Sequence, residues 1–256
     1  MTPEEPGNGT EETASKERRW RRRPTETVVE APTLGYIPPN PTSPAPTMAD
    51  PLGDTASAYL QAVDKLQTVQ ASGILLVTAV SEGSPGGTIV GLNLAIAATR
   101  RGLRAVLIDG DESGGGPTQY LRTGDRPGLA ELSAGTATLD LASRLLRIDA
   151  ENRLPMIPAG SAETDEGMEA ASLADPIDRI SEHSDLLIIV VPIDASPQRA
   201  RALAAHADGT LLVVDGQEPA RELAETVEGL ASFGAPVIGL IELAGPRRRR
   251  RRGSGA

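Results

Sequence analysis

Cysteine is absent from this chain of 256 residues, which excludes a disulfide framework and a thiolate metal site. Two histidines, His183 and His206, are too few for a histidine zinc cluster. Aromatic residues make up 2% of the chain, so the core has to come from alanine, valine, leucine and isoleucine. No apolar run approaches the roughly 18–20 residues of a membrane span. The opening MTPEEPGNGTEE lacks the basic start and apolar stretch of a secretory signal. A soluble, cytoplasmic protein is the expectation.

Charge is present but segregated. The formal net charge is −10, yet KERRWRRR at 16–23 carries six basic side chains and residues 247–252 are six arginines. Setting aside those twelve and Glu17 leaves thirteen basic and thirty-four acidic side chains, a net charge of −21 for the rest. Such a body is poorly suited to gripping nucleic acid. The two runs suit anionic lipid or an acidic partner, with nucleic acid less favoured. Trp20, amid the first run, is a residue type that inserts at membrane interfaces. A solvated tail is the plain alternative for both runs.

Residues 1–53 are rich in proline, threonine, glutamate and arginine and lack periodicity, as in a disordered or extended tail. An apolar island, APTLGYIPPNP at 31–41, interrupts it. The domain is expected over 54–246, with a polybasic tail over 247–256. Residues 54–70 have helical spacing at Tyr59, Ala62, Val63 and Leu66, with Asp54 or Thr55 as N-cap. Tyr59 then packs its helix on the domain. Apolar runs come next at 74–80, 104–109, 154–158, 186–191, 209–214 and 235–242. Most are continuous, as suits strands buried on both faces of a parallel sheet. Helical patterns lie between them at 87–101, 129–147 (in two pieces), 167–183, 197–206 and 218–232. The acidic stretch Glu163, Asp165, Glu166 and Glu169 precedes one of them, as helix-dipole capping does. The predicted fold is α/β: a doubly wound, mostly parallel sheet with helices on both faces and ligands at the C-terminal ends of the strands.

The stretch VTAVSEGSPGGT (77–88) sits where a phosphate-binding loop belongs, between the first strand of that alternation and a helix. Such loops aim backbone N–H groups at phosphate from a helix N-terminus, in the pattern GxxxxGK[ST]. Gly83, Gly86 and Gly87 supply the turn and Thr88 a hydroxyl, but Gly87 stands where the lysine belongs. Pro85 removes a donor, and Glu82 adds a negative charge. Losing the lysine contact alone costs about 1.5–3 kcal/mol. The plain alternative is a glycine-rich turn with Thr88 capping its helix. VLIDGD (106–111) places Asp109 and Asp111 at the end of the second strand, where carboxylates hold magnesium or orient a nucleophile. Turn capping is the alternative there too.

The order of these segments resembles the bacterial tyrosine autokinases of capsular and exopolysaccharide synthesis (CpsD/CapB-like). These are a branch of the deviant-Walker P-loop ATPases that includes the ParA/MinD proteins. The resemblance runs from about Thr33 to Leu243, through TLGYIP (33–38), DPLGDTASAYLQAV (50–63), VTAVSEGSPGGTIVGLNLAIA (77–97), RGLRAVLIDGD (101–111), PGLAELSAGTATL (127–139), LPMIPAG (154–160), SDLLIIVVP (184–192) and the stretch 207–241. It implies a P-loop fold and a membrane polysaccharide co-polymerase or adaptor as partner, with the protein peripheral at the inner face of the cell membrane.

The departures from the family pattern are several. Gly87 replaces the loop lysine. Val190 replaces the magnesium-binding aspartate at the end of the 186–191 run, with Asp185 too far along it to substitute. The adenine-contacting asparagine falls on Glu242 or Leu243. The ring-assembly motif maps to Ser57, Leu60 and Val63, and arginines stand where the tyrosine cluster should be. Arg100, Arg101 and Arg104 lie at the far end of the helix, about 20 Å from the loop by helix rise. Thr88, Asp109 and Asp111 remain of the catalytic set. Phosphoryl transfer rests on positioning and charge neutralisation, so the expectation is a non-catalytic domain that regulates polysaccharide assembly by docking. A weak nucleotide-binding ATPase or kinase is the alternative, with Mg-ATP or Mg-ADP held by Gly83, Gly86, Gly87 and Thr88 and magnesium by Thr88 and Asp109. A ParA/MinD-like positioning protein is the other. Homo-oligomers are compatible with either, without the ring motif.

Overall fold

The continuous apolar runs form the centre of one eight-stranded sheet. The computed structural model describes residues 31–38, 43, 45–70, 73–81, 83–124, 127–161, 170–192 and 197–244. Both arginine-rich runs, Glu82 and the acidic stretch at 163–169 lie outside the described residues. In chain order the elements are β1 (Thr33–Ile37), α1 (Pro46–Ala49), α2 (Asp54–Val69), β2 (Gly73–Ala79), α3 (Gly86–Arg100), β3 (Ala105–Asp109) and α4 (Pro117–Leu121). Next come α5 (Leu129–Ser133), α6 (Leu139–Ala142), β4 (Arg144–Arg147), β5 (Arg153–Ile157), α7 (Ala170–Ser181) and β6 (Leu186–Val190). The last are α8 (Pro197–Ala204), β7 (Gly209–Val214), α9 (Ala220–Ser232) and β8 (Val237–Leu243). The strand order is β1-β8-β7-β2-β6-β3-β5-β4, parallel except for the β4–β5 pair.

Side chains along each central strand alternate between two cores. Leu75, Val77, Leu107, Ile188, Val190 and Leu211 join Tyr59, Leu66, Leu92 and Ile96 on the face covered by α2 and α3. Leu76, Ile108, Leu187, Ile189 and Leu212 join Leu129, Leu173, Ile177, Leu203 and Leu230 on the other. Helix α3 is buried nearly all round, which is why its sequence is apolar on every face rather than striped. Within it, buried Asn93 accepts hydrogen bonds from the Thr47 hydroxyl (2.6 Å) and the Thr47 N–H (3.2 Å), fastening α1 to the central helix.

Two expectations change. Composition places residues 33–37 in the N-terminal tail, but they form a sheet strand beside β8, with Leu34 and Ile37 buried. The run is short, and exposed Tyr36 breaks its apolar pattern, which hides it in the sequence. Spacing places residues 144–147 at the end of a helical segment. They form the antiparallel edge strand β4 instead, because Leu145 points to solvent while Leu146 packs on the core.

If the folded unit reaches back to β1, Leu34→Ala lowers the unfolding free energy by about 2–5 kcal/mol in urea denaturation. A tail residue at that position would leave the midpoint unchanged.

Candidate functional site

Strand order reverses direction around β2 and β6, so the C-terminal ends of β2, β6 and β3 frame a crevice. The loop after β2 and the first turn of α3 form its floor. Gly83 takes φ +66°, a left-handed conformation that glycine adopts without strain. The Ser84 N–H donates to the Ser81 carbonyl (3.1 Å), and the Gly86 N–H donates to Ser84 Oγ (3.1 Å). Two loop donors are thus engaged within the loop, and Pro85 has none to offer. A small depression opens here, lined by Ser81, Ser84, Gly87, Thr88, Val190 and Pro192 among others.

Thr88 does not cap α3. The N-cap is Pro85, without a side-chain bond, and Thr88 lies inside the first turn. Its hydroxyl donates to the Gly115 carbonyl at 3.4 Å, across to the loop after β3. At Gly87 an added Cβ would sit 3.1 Å from the Ala79 nitrogen and 3.2 Å from two Thr78 backbone atoms. The helix therefore rests directly on β2 where a lysine would start. Val190 ends β6 with its side chain against α3, so that a Cβ on Gly91 would collide with Val190 Cγ2. An aliphatic side chain thus packs on the helix at the end of β6.

Asp109 and Asp111 are both buried at the mouth of β3, and both make turn bonds. Asp109 Oδ1 accepts from the Asp111 N–H (2.9 Å), and its Oδ2 accepts from the Thr118 N–H (2.8 Å) at the start of α4. Burial pushes the Asp109 carboxyl up from its usual range, against the pull of the Thr118 and Asp111 hydrogen bonds. Asp111 Oδ1 accepts from the Ser113 N–H (2.8 Å) and hydroxyl (2.5 Å). Glycines close over the pair: a Cβ on Gly116 would overlap Asp109 Oδ1. The remnants therefore converge through the loop 110–116, which touches Thr88 from one side and encloses Asp109 from the other.

The residue missed from sequence is Arg199. It lies on α8, 3% exposed, with its guanidinium 3.2 Å from Glu112 Oε2 and donating to the Ala159 carbonyl at 2.7 Å. Burial lowers its pKa, opposed by the charges of Glu112, Asp109 and Asp111. The available signal is its place four residues before buried Leu203, on the inward face of a short helix. Arg100, Arg101 and Arg104 pair elsewhere, with Asp149, Asp64 and Asp185. Asp185, just before its strand, thus holds a turn far from the crevice. Tyr59 is fully buried between helix and sheet, while Tyr36 and Tyr120 are exposed. Glu242 and Leu243 end β8, and the Leu243 side chain reaches Gly86.

No family model matches the chain. Over 173 residues it is 28% identical to the succinoglycan biosynthesis transport protein ExoP of Rhizobium meliloti, covering 64% of this chain and 22% of that protein. Over 172 residues it is 26% identical to the tyrosine-protein kinase CpsD of Streptococcus pneumoniae, covering 66% of this chain and 74% of CpsD. In structure it is similar to the kinase domain of the Escherichia coli tyrosine kinase ETK, with TM-score 0.71 and 18% identity over 88% of this chain and 94% of that one. The likeness extends to MinD of Pyrococcus horikoshii complexed with Mg-ADP, with TM-score 0.52 and 21% identity over 66% of this chain and 70% of that one. In sequence the chain is thus similar to a succinoglycan transport protein and a tyrosine-protein kinase, and it has the fold of a tyrosine kinase domain and of MinD.

Proposed function

We propose that this chain is a catalytically silent relative of the polysaccharide tyrosine kinases. It serves polysaccharide assembly by docking on a membrane co-polymerase or on an active kinase. The observation that carries this reading is the contact at Gly87: helix backbone lies on strand backbone where the phosphate-binding lysine would project. The residues present do not fit a magnesium nucleotide. Thr88 is turned to Gly115, Asp109 is engaged by two backbone donors beneath Gly116, and the Val190 side chain carries no oxygen. With no lysine or metal carboxylate to help absorb the charge of a transferring phosphoryl group, that transfer lacks its main support. Among the described residues, no helix is long and apolar enough to cross a membrane.

One observation favours a second reading. The depression lies at the N-terminus of a fifteen-residue helix and has two serine hydroxyls and a threonine in its wall. Such a place attracts phosphate weakly. Its consequence would be nucleotide binding without turnover.

The purified full chain, given Mg-ATP, is expected to release no phosphate above a no-protein control and to carry no phosphotyrosine. ATP-dependent phosphotransfer that Asp109→Ala abolishes would end the silent reading, and calorimetric heat at millimolar Mg-ATP without turnover would favour the second. Val190→Asp is expected to cost about 3–5 kcal/mol of stability, because it buries an uncompensated carboxylate against α3. It is also expected to gain no thermal shift with Mg-ATP; a variant as stable as the parent that gains such a shift would show the metal position to be open. The basic runs at 16–23 and 247–252 are proposed to reinforce docking on anionic lipid, at roughly 1 kcal/mol per arginine near the surface. Binding to phosphatidylserine vesicles, measured by co-sedimentation, should fall steeply (about a decade or more) between roughly 50 and 300 mM salt; a flat salt response excludes it.

A further inference from the structure

We propose that the free edge of β4 is a docking strand for an extended, acidic segment of a partner protein, which adds to the sheet as a further strand. β4 is the last strand in the sheet order and pairs with β5 on one side alone. Hydrogen bonds in an antiparallel ladder alternate, so every second residue turns its backbone groups away from the neighbouring strand. Pro155, opposite Leu145, has no N–H to give. The Ile148 N–H donates to the Asn152 carbonyl at 3.1 Å. Both facts put Arg144, Leu146 and Ile148 in the bonds to β5, and they leave the N–H and C=O of Leu145 and Arg147 directed outward.

The same two residues form the exposed face of the strand. Leu145 and Arg147 are exposed where Arg144 and Leu146 are half-buried. Across the pair, Leu145 lies beside Pro155 and Arg147 beside Arg153. Leu145 is 67% exposed, and Leu141, on α6 just before the strand, is 63% exposed. Like charges directly opposite one another repel. Among the described residues neither arginine forms an ion pair with a carboxylate. Their guanidiniums donate to main-chain carbonyls instead, Arg147 to Asp149 and Arg153 to Asp149, Ala150 and Asn152. The Asp149 carboxylate turns inward, accepting from the Glu151 and Asn152 N–H groups and pairing with Arg100. The edge thus offers outward backbone groups, an apolar side chain and two cations without a carboxylate. The matching segment is a strand with an acidic side chain two residues from an apolar one, so that both fall on one face. A second copy would bring further arginines to the same edge, and charge on an edge strand discourages such self-pairing. This names a surface for the docking reading above and rests on it for its purpose.

The probe is a fluorescein-labelled peptide, TVTETETVT, whose valines and glutamates share one strand face in either chain direction. Its anisotropy is followed against the full chain. The shuffled peptide TVETTTEVT has the same composition and charge but sets valine and glutamate on opposite faces. The first peptide is expected to bind about ten-fold tighter than the shuffled one, and to slow amide exchange at Leu145 and Arg147. The Arg147→Glu/Arg153→Glu variant, altered at exposed positions alone, is expected to lose that preference and to favour TVTKTKTVT. Equal binding of the two acidic peptides would assign the interaction to charge alone, as the arginine runs would give, and overturn the proposal. Absent binding, or unchanged exchange at β4, would do the same. A chain that sediments as a dimer until Arg147→Glu/Arg153→Glu disrupts it would make a second copy the occupant and also overturn it. Phosphotransfer is measured separately: failure of the peptide leaves the silent reading standing, and an active chain that binds the peptide ends that reading alone.

Discussion

The contact between α3 and the ends of β2 and β6 is the constraint on which the crevice depends. It is made by glycine. At Gly87 the helix lies against the β2 backbone, and at Gly91 it lies against the Val190 side chain, closer than any Cβ would allow. That approach buries α3 on nearly all sides and joins both halves of the sheet to one core. It also fixes what the loop can present. A side chain at position 87 would begin inside the packing distance of β2, so a lysine there would require the first turn to lift by a few tenths of an ångström.

The loop 110–116 folds around its own carboxylates through turn bonds and glycine contacts, and Arg199 from α8 pairs with Glu112. An anionic ligand approaching the crevice meets N–H groups partly used within the loop and a threonine hydroxyl already turned to Gly115. Binding between folded surfaces demands none of those groups.

Much of this is legible in the sequence because the central strands are buried on both faces and read as unbroken apolar runs. Spacing and flanking glycines place helices α2 and α3 close to their observed ends. What escapes lies at the sheet's edges and in the charges. β1 and β4 are short, half exposed and flanked by proline or arginine, and Leu145 and Leu146 carry as much helical as strand spacing. Thr88 reads equally well as a cap, since only three-dimensional placement shows its hydroxyl crossing to Gly115. Arg199 is hidden because a charge on a short helix ordinarily faces water, and its carboxylate partner Glu112 is 87 residues earlier in the chain.

The parallel pairing of β1 with β8 has a further consequence. The backbone enters the first strand at the edge opposite the crevice and leaves the last strand at the crevice edge, roughly 20 Å away along the strands. The chain before β1 and the chain after β8 therefore attach at opposite ends of the strands. A surface that met the chain at one end would face the crevice, and one that met it at the other end would face the opposite side of the sheet.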